Sequence, residues 1–210
     1  MSYQDKFNAL LETRPLLAAA FQYASAAHRR VGQKRRYSGE EYEIHPMQAV
    51  VYASETIHND ETNLAIIMMH DVLEDTLLEN QTVEQAALSM GLAFTIKFDN
   101  HKALEIVNGV MEMTDVAVPS DGNRKARMAI NADHAAQASP PRQTGKLVDM
   151  KSNMPSIIKH DPGFARKWVA EKKAVAVRMT QADPTLRAEV LAMIDAYERG
   201  KFRPDDYEIV

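Results

Sequence analysis

The sequence of 210 residues contains no cysteine, which excludes disulfide bridges and thiolate metal sites. It also lacks an apolar run long enough to span a bilayer, and its first residues lack the basic start and apolar stretch of a signal peptide. Strand-like alternation is scarce: residues 93–98 alternate, but a short strand, a helix start and a loop fit them equally well. These absences predict a cytoplasmic protein that has no membrane partner and is built mainly from helices.

Charge and length narrow the class further. A net charge of -4 argues against a general nucleic-acid binder. Apolar residues make up 45% of the chain, which is enough for a substantial core. We expect one domain over residues 1–210, with a core of about 14–180 and a C-terminal helix and tail over 183–210. A homo-oligomer is compatible with this composition.

Helical periodicity and capping signals recur along the whole chain. Pro46 is a favoured residue for a helix start, Asn59-Asp60 can cap the following helix, and Gly91 is expected to end the one after it. The tail over 201–210 is expected to be extended. The pattern predicts a compact all-α, single-domain helical bundle. The predicted helices cover 14–30, 46–58, 61–76, 83–90, 101–113, 121–137, 141–159, 162–180 and 184–199.

The most informative segment is 70–76, where an imidazole and three carboxylates interrupt an apolar stretch. On a continuous helix at about 100° per residue, His70, Asp71, Glu74 and Asp75 fall in one arc that includes part of the apolar face. Carboxylates are costly to bury unless they are paired or bound to a metal. The segment therefore predicts a metal site: His70 and Asp71 as ligands, with Glu74 and Asp75 handling protons or orienting water.

Two more residues are candidates to complete the ligand set. His45 lies just before a predicted helix start, where a side chain has a fixed direction. Asp149 follows two apolar residues, and Asn153 lies one turn further on. Two histidines and two aspartates form a mixed nitrogen and oxygen set that suits Mn, Fe, Co or Zn. The competing interpretation is a helical protein whose acids are merely paired with basic groups.

A basic run stands out against the negative average. Five cations fall within eight residues, a density that favours either a solvated face or a landing site for phosphates. The sequence leaves both interpretations open. The five residues are Arg29, Arg30, Lys34, Arg35 and Arg36.

Taken together, the motifs resemble the HD superfamily of metal-dependent phosphohydrolases. More narrowly, they are similar to the hydrolase domain of RelA/SpoT stringent-response enzymes and to small alarmone hydrolases. The resemblance runs from about Ala24 to Lys172. It is carried by four ordered motifs, which are residues 27–46, 70–76, 109–115 and 146–153.

The resemblance implies roles for individual residues. The family's metal ligands fall on His45, His70, Asp71 and Asp149, and one Mn²⁺ ion is implied per site. Its catalytic acids fall on Glu74 and Asp75. The implied reaction removes the 3′-pyrophosphate from ppGpp or pppGpp and gives GDP or GTP. The family's nucleotide contacts fall on Arg36, Tyr37, Ser38 and Asn153, with Lys146 and Arg124 as weaker phosphate candidates.

Several departures from the family pattern keep other functions open. An extra residue separates Gln33 from Arg36, Glu41 replaces a proline, and residues 150–152 differ from the commoner Arg-Leu-His. These differences surround the expected base pocket. The same chemistry on ppApp or on another phosphorylated nucleotide such as NADPH therefore remains an alternative. The alternative that is not an enzyme is a nucleotide-binding module without turnover. A different HD branch, such as a 5′-nucleotidase, fits residues 36–46 less well.

Overall fold

A computed structural model describes residues 2–207. This part of the chain contains helices, turns and one isolated antiparallel bridge between Lys34 and Glu41, so the predicted all-α class is confirmed. Within the described range, no helix combines the length and hydropathy needed to cross a bilayer. The α-helices are α1 (Tyr3–Thr13), α2 (Pro15–Arg30), α3 (Ile44–Ser54), α4 (Glu61–Met68), α5 (Val72–Asp75), α6 (Val83–Thr95), α7 (Asn100–Met113), α8 (Arg124–Gln137), α9 (Pro140–His160), α10 (Pro162–Ala176) and α11 (Pro184–Glu198). Short 3₁₀ helices cover Pro119–Asp121 and Pro204–Tyr207.

The starts of α10 and α11 follow directly from the sequence. Each helix has a proline in its first turn, where the missing N–H is not needed for a helical hydrogen bond. The preceding Asp161 and Asp183 cap these helices, and their side chains accept from the backbone N–H groups of Phe164 and Leu186. Both predicted starts are confirmed because the signal is local.

Other boundaries differ from the predictions. Helix α1 was not predicted, although Ser2 and Asp5 form a reciprocal capping box at its start. Helix α6 continues through Gly91 to Thr95, so Gly91 does not end it and the strand alternative for 93–98 is wrong. A Cβ at Gly91 would lie 3.3 Å from Val107 on α7, so this glycine serves the contact between α6 and α7. The tail holds a 3₁₀ turn, and residues 208–210 lie outside the described residues.

The predicted helix over 61–76 is interrupted just where the site forms. Helix α4 ends at Met68, and residues 69–71 form a turn before α5 begins. Backbone N–H groups of Met69 and His70 donate to carbonyls three residues earlier, at 3.0 and 3.4 Å, which tightens the chain. The angular positions expected from a continuous helix therefore do not apply.

Helix α4 lies at the centre of the molecule and packs against α2, α3, α7 and α9. Two glycines allow this close packing. A Cβ at Gly109 on α7 would clash with Ile66 on α4, and a Cβ at Gly145 on α9 would lie 2.8 Å from Met113 and 3.3 Å from Ile67. Close approach of α4 and α9 brings the turn after α4 next to the residues that follow Gly145.

A buried leucine on α4 offers a test of this packing. Leu64 is fully buried, so Leu64→Ala should lower the free energy of unfolding by about 2–5 kcal/mol through lost transfer energy and a new cavity. Leu104→Ala is the matched control, because Leu104 is 59% exposed and its loss should change the free energy by about 0.5 kcal/mol or less. Urea unfolding in EDTA measures both. Equal effects would contradict the central position of α4.

Candidate metal centre and adjoining cleft

The four predicted metal ligands meet in one place, although they come from three parts of the chain. They are supplied by the first turn of α3, the turn between α4 and α5, and the middle of α9. Nε2 of His45 lies 3.1 Å from Oδ1 of Asp149 and 3.6 Å from Oδ2 of Asp71. Nε2 of His70 lies 3.0 Å from Oδ2 of Asp71 and 3.5 Å from Oδ1 of Asp149. Two imidazole nitrogens and two carboxylate oxygens thus face a common centre.

This arrangement fits a divalent transition-metal ion. Ligand atoms about 2.1 Å from one ion are about 3.0–3.4 Å apart at angles of 90–110°, close to the observed spacing. The ligand atoms of His45, His70 and Asp149 all lie within 4.8 Å of one another. Nδ1 of His70 lies 2.7 Å from the carbonyl oxygen of Ile67, so it donates there and Nε2 is the nitrogen left to bind an ion. That buried Nε2 faces the carboxylates of Asp71 and Asp149.

The electrostatics of the centre also favour a cation. The histidine side chains are 1% and 4% exposed, and those of Asp71 and Asp149 are 18% and 16% exposed. Burial lowers the pKa of His45, whereas at His70 the two carboxylates outweigh burial and raise the pKa well above its usual value. Burial alone would raise the pKa of each aspartate, but the histidines hold both below their usual range. Two ionised carboxylates in a nearly dry site are well matched to a divalent ion.

Tyr42 supports this centre and was not identified from the sequence. Its hydroxyl donates to Oδ2 of Asp71 at 2.5 Å. Burial, with the nearby charge of Asp71, raises the pKa of Tyr42, so the phenol remains a hydrogen-bond donor. The tyrosine stands three residues before His45, a placement that could have suggested a supporting role. It holds Asp71 in a fixed direction.

Glu74, a predicted catalytic acid, lies on α5 beside Lys146 and Asp115. Its Oε1 accepts a hydrogen bond from the backbone N–H of Asp115 at 2.8 Å. Glu74 keeps contact with solvent, yet desolvation by the surrounding protein raises its pKa to about 7, against the opposing charge of Lys146. Nζ of Lys146 lies 3.4 Å from Oδ1 of Asp115, and these acids raise the pKa of Lys146 against the effect of burial. A water-accessible carboxyl that titrates near neutrality is suited to proton transfer.

Asp75, the other predicted acid, is held by a chain of hydrogen bonds. Nε2 of Gln33 donates to its Oδ2 at 2.7 Å, and Oε1 of Gln33 lies 2.6 Å from Nδ1 of His28. His28 is 1% exposed, and its ring packs against that of Tyr42 with centroids 4.4 Å apart. Burial and the charge of Asp71 raise the pKa of Asp75. His28 thus orients Gln33.

The structure places Arg35, rather than the predicted Arg36, against the centre. Nη1 of Arg35 donates to Oδ1 of Asn153 at 3.2 Å, and Nδ2 of Asn153 donates to Oδ1 of Asp149 at 2.7 Å. The Arg36 side chain is 74% exposed and lies 3.9 Å from Asp161 at the start of α10. Arg36 also lines the cavity that adjoins the centre, so its predicted role as a nucleotide contact stays a prediction.

Tyr37 fixes the loop that carries Arg35. Its hydroxyl donates to Oδ2 of Asp161 at 3.3 Å, and its ring stacks on that of His160 with centroids 5.6 Å apart. Both partners lie at the junction of α9 and α10. The loop is therefore anchored beside the metal centre and not free in solvent.

A cleft adjoins the centre on this side. A cavity of about 250 Å³ lies between the loop that carries Arg35 and the predicted acid Asp75. Its walls include Arg35, Tyr37, Tyr42, Asp75, Asn153 and Phe164. Cationic, amide and aromatic groups around one cavity can recognise a phosphorylated nucleotide by charge, hydrogen bonding and stacking.

Two predicted substrate contacts lie elsewhere. Ser38 lines a second cavity of about 290 Å³, together with Arg35 and Ser152. Arg124 on α8 is engaged by both carboxylate oxygens of Glu171, at 2.9 and 2.7 Å. The roles predicted for Ser38 and Arg124 stay predictions.

Much of the basic run serves local structure. Arg29 and Lys34 form ion pairs with Glu43 and Glu41, and Arg30 donates to the carbonyl of Thr76 at 2.9 Å. The solvated-face interpretation therefore describes part of the run, and Arg35 is the member directed to the candidate centre.

Comparisons with known proteins bear on the fold and on the family resemblance. No protein-family model matches the chain. A 70-residue segment, 33% of the chain, is 36% identical to GTP pyrophosphokinase rsh of Brucella ovis, Brucella abortus and Brucella melitensis. This match spans only 9% of the length of each of those proteins.

A solved structure of a metazoan ortholog of SpoT, which hydrolyses ppGpp and plays a role in starvation responses, superposes with a TM-score of 0.67. That superposition covers 89% of this chain and 97% of the other, at 21% identity. The resemblance to RelA/SpoT-type hydrolase domains that the motifs indicated is confirmed, and the fold is shared.

Proposed function

We propose that this chain is a metal-dependent hydrolase that removes the 3′-pyrophosphate from ppGpp or pppGpp. The observation that carries the proposal is the meeting of two histidine nitrogens and two aspartate oxygens at 3.0–3.6 Å, beside two further acids and a cleft of about 250 Å³. The match to Rsh proteins and the fold shared with a ppGpp-hydrolysing SpoT ortholog support this substrate class.

The metal-ligand set in this proposal is His45, His70, Asp71 and Asp149, and the ion is Mn²⁺. When bound, such an ion supplies Lewis-acid chemistry, in which it acidifies a bound water and polarises the attacked phosphoryl group. The carboxylates of Asp71 and Asp149 match its charge, and the hydrogen bond from Tyr42 keeps Asp71 aimed at it.

Proton transfer is assigned to the two acids beside the centre. Glu74 accepts the proton of the attacking water, because its pKa of about 7 and its solvent contact suit a base near neutral pH. Water adds to the 3′-phosphorus, the bond between that phosphorus and the ribose 3′-oxygen breaks, and the 3′-oxygen takes up a proton. Asp75, whose pKa is raised by burial, is placed to deliver that proton.

Substrate recognition is assigned to the cleft. Arg35 in the cleft and Lys146, which lies outside the cleft beside Glu74 and Asp115, would bind phosphate oxygens and offset the charge that develops as the bond breaks. Asn153, which contacts both Arg35 and Asp149, links the phosphate site to the metal centre. Tyr37 and Phe164 add aromatic surface to the cleft. A purine packed on these rings would compete with Arg36, 5.4 Å from the Tyr37 ring centre, and with Arg124, 5.6 Å from that of Phe164.

Incubation of the purified chain with ppGpp tests the proposal. With Mn²⁺ we expect equimolar GDP and pyrophosphate, and with EDTA we expect neither. Parallel reactions with ppApp and NADPH measure base and substrate preference, since the cleft combines aromatic and cationic groups without specifying guanine. Metal binding without turnover of any of the three would support a binding module instead.

A further inference from the structure

Ser152 sits directly behind the candidate metal centre. It lies on α9, three residues after Asp149, and is 8% exposed. Its Oγ is 3.0 Å from the carbonyl oxygen of Asp149 and 3.1 Å from Nδ1 of His45. The hydroxyl therefore bridges the backbone of one proposed ligand and the ring of another.

The proton positions in this bridge follow from the donor inventory. The hydroxyl of Ser152 has one proton, and its hydrogen bond to the carbonyl oxygen of Asp149, which can only accept, uses that proton. Toward His45 the hydroxyl then acts as an acceptor, and Nδ1 of His45 must carry the hydrogen. A neutral imidazole has one protonated nitrogen, so the lone pair lies on Nε2, the nitrogen that faces the carboxylates.

An independent set of contacts leads to the same tautomer. A guanidinium only donates, so the hydrogen bond from Arg35 fixes Oδ1 of Asn153 as the acceptor and leaves Nδ2 on the other side. That Nδ2 lies 3.4 Å from Nε2 of His45. Nδ2 donates one N–H to Oδ1 of Asp149 at 2.7 Å, and Nε2 of His45 can accept the other only when that ring nitrogen carries no hydrogen.

The two histidines differ in how their tautomers are fixed. His70 is held by the backbone carbonyl of Ile67, which no side-chain substitution removes. His45 is held by the side chain of Ser152, at a position where the sequence departs from the family pattern. We propose that Ser152 is a positioning residue that fixes the Nδ1–H tautomer of His45 and thereby sets the affinity of the centre for a divalent metal. This inference rests on the proposed metal site.

The test uses the full chain stripped of metal, with Mn²⁺ affinity measured by isothermal titration calorimetry. Ser152→Ala should weaken Mn²⁺ binding about 10–100-fold, the usual effect of losing such a support. Ser152→Thr keeps the hydroxyl, and its methyl can face the adjoining cavity, so its affinity should stay within about threefold of the parent. Ser89→Ala is the matched control and should leave the affinity unchanged, because the Ser89 hydroxyl also donates to a carbonyl of its own helix, that of Gln85, but lies on α6, which supplies none of the proposed ligands.

A second measurement does not depend on how any variant folds. Long-range ¹H–¹⁵N spectra of the metal-free parent chain report which nitrogen of each histidine carries the hydrogen. We expect the Nδ1–H pattern for His45. An Nε2–H pattern would overturn the proposal, as would unchanged Mn²⁺ affinity in Ser152→Ala or equal weakening in Ser152→Thr. Failure of the parent chain to bind Mn²⁺ would instead refute the proposed metal site, so the two failures are distinguishable.

Discussion

Asp149→Asn is expected to abolish both metal binding and turnover. The substitution keeps the size of the side chain but removes a charge that lies 3.1 Å from Nε2 of His45 and 3.5 Å from Nε2 of His70. Losing a supporting hydrogen bond typically weakens metal binding about 10–100-fold, and losing a direct ligand should weaken it more. We therefore expect Mn²⁺ to bind more than about a hundredfold less tightly. Calorimetry with Mn²⁺ and release of pyrophosphate from ppGpp measure the two effects.

The control for this variant is another aspartate on a helix. Asp195→Asn on α11 removes a surface charge that pairs with Arg199 and should leave both readouts unchanged. Helix content by circular dichroism should match the parent in both variants, because Asp149 contributes to the centre and not to the apolar core. Retention of Mn²⁺-dependent turnover in Asp149→Asn would remove this residue from the ligand set.

Glu74→Gln is expected to lower kcat more than about a hundredfold while leaving Mn²⁺ affinity nearly unchanged. A base must be ionised, and the pKa of Glu74 is raised to about 7 by desolvation. The activity of the parent chain should therefore fall as pH drops. The midpoint of that fall should lie at or below about 7, because a bound cation favours the ionised carboxylate. The residual activity of Glu74→Gln should lose this dependence. Rates of pyrophosphate release between pH 5 and 9 provide the measurement.

A surface acid provides the comparison for this prediction. Glu105→Gln on α7 removes a carboxylate that pairs with Lys102, and its pH profile should follow that of the parent. If Glu74→Gln keeps the same acidic fall in activity, the titrating base is another group, and Asp75 becomes the first candidate.

The sequence was sufficient for the parts of the site that local chemistry determines. An imidazole and adjacent carboxylates in an apolar segment pointed to His70 and Asp71 as candidate metal ligands. The ordered motifs added His45 and Asp149 to this candidate set. The structure brings these four together because α3 packs against both α4 and α9, and α9 approaches α4 closely at Gly145. The sequence also predicted the helix starts at which an aspartate precedes a proline, as at Asp161. This signal is local, because the aspartate caps backbone groups within one turn.

The parts that the sequence could not provide depend on three-dimensional contacts. The turn over 69–71 breaks an otherwise continuous helical pattern, and no residue in it is a helix breaker. Assigning Arg35 to the centre required the contact with Asn153, which lies 118 positions away in sequence. Residues 150–152 stand out in the sequence only as a departure near the base pocket, whereas the structure places the Ser152 hydroxyl 3.1 Å from Nδ1 of His45.

An anomalous difference map from a crystal soaked in Mn²⁺ tests the central claim most directly. We predict one peak per chain, about 2.0–2.3 Å from Nε2 of His45, Nε2 of His70, Oδ2 of Asp71 and Oδ1 of Asp149. A map with no peak at these four atoms, from a protein that is still turning over ppGpp, would contradict the assignment of this centre.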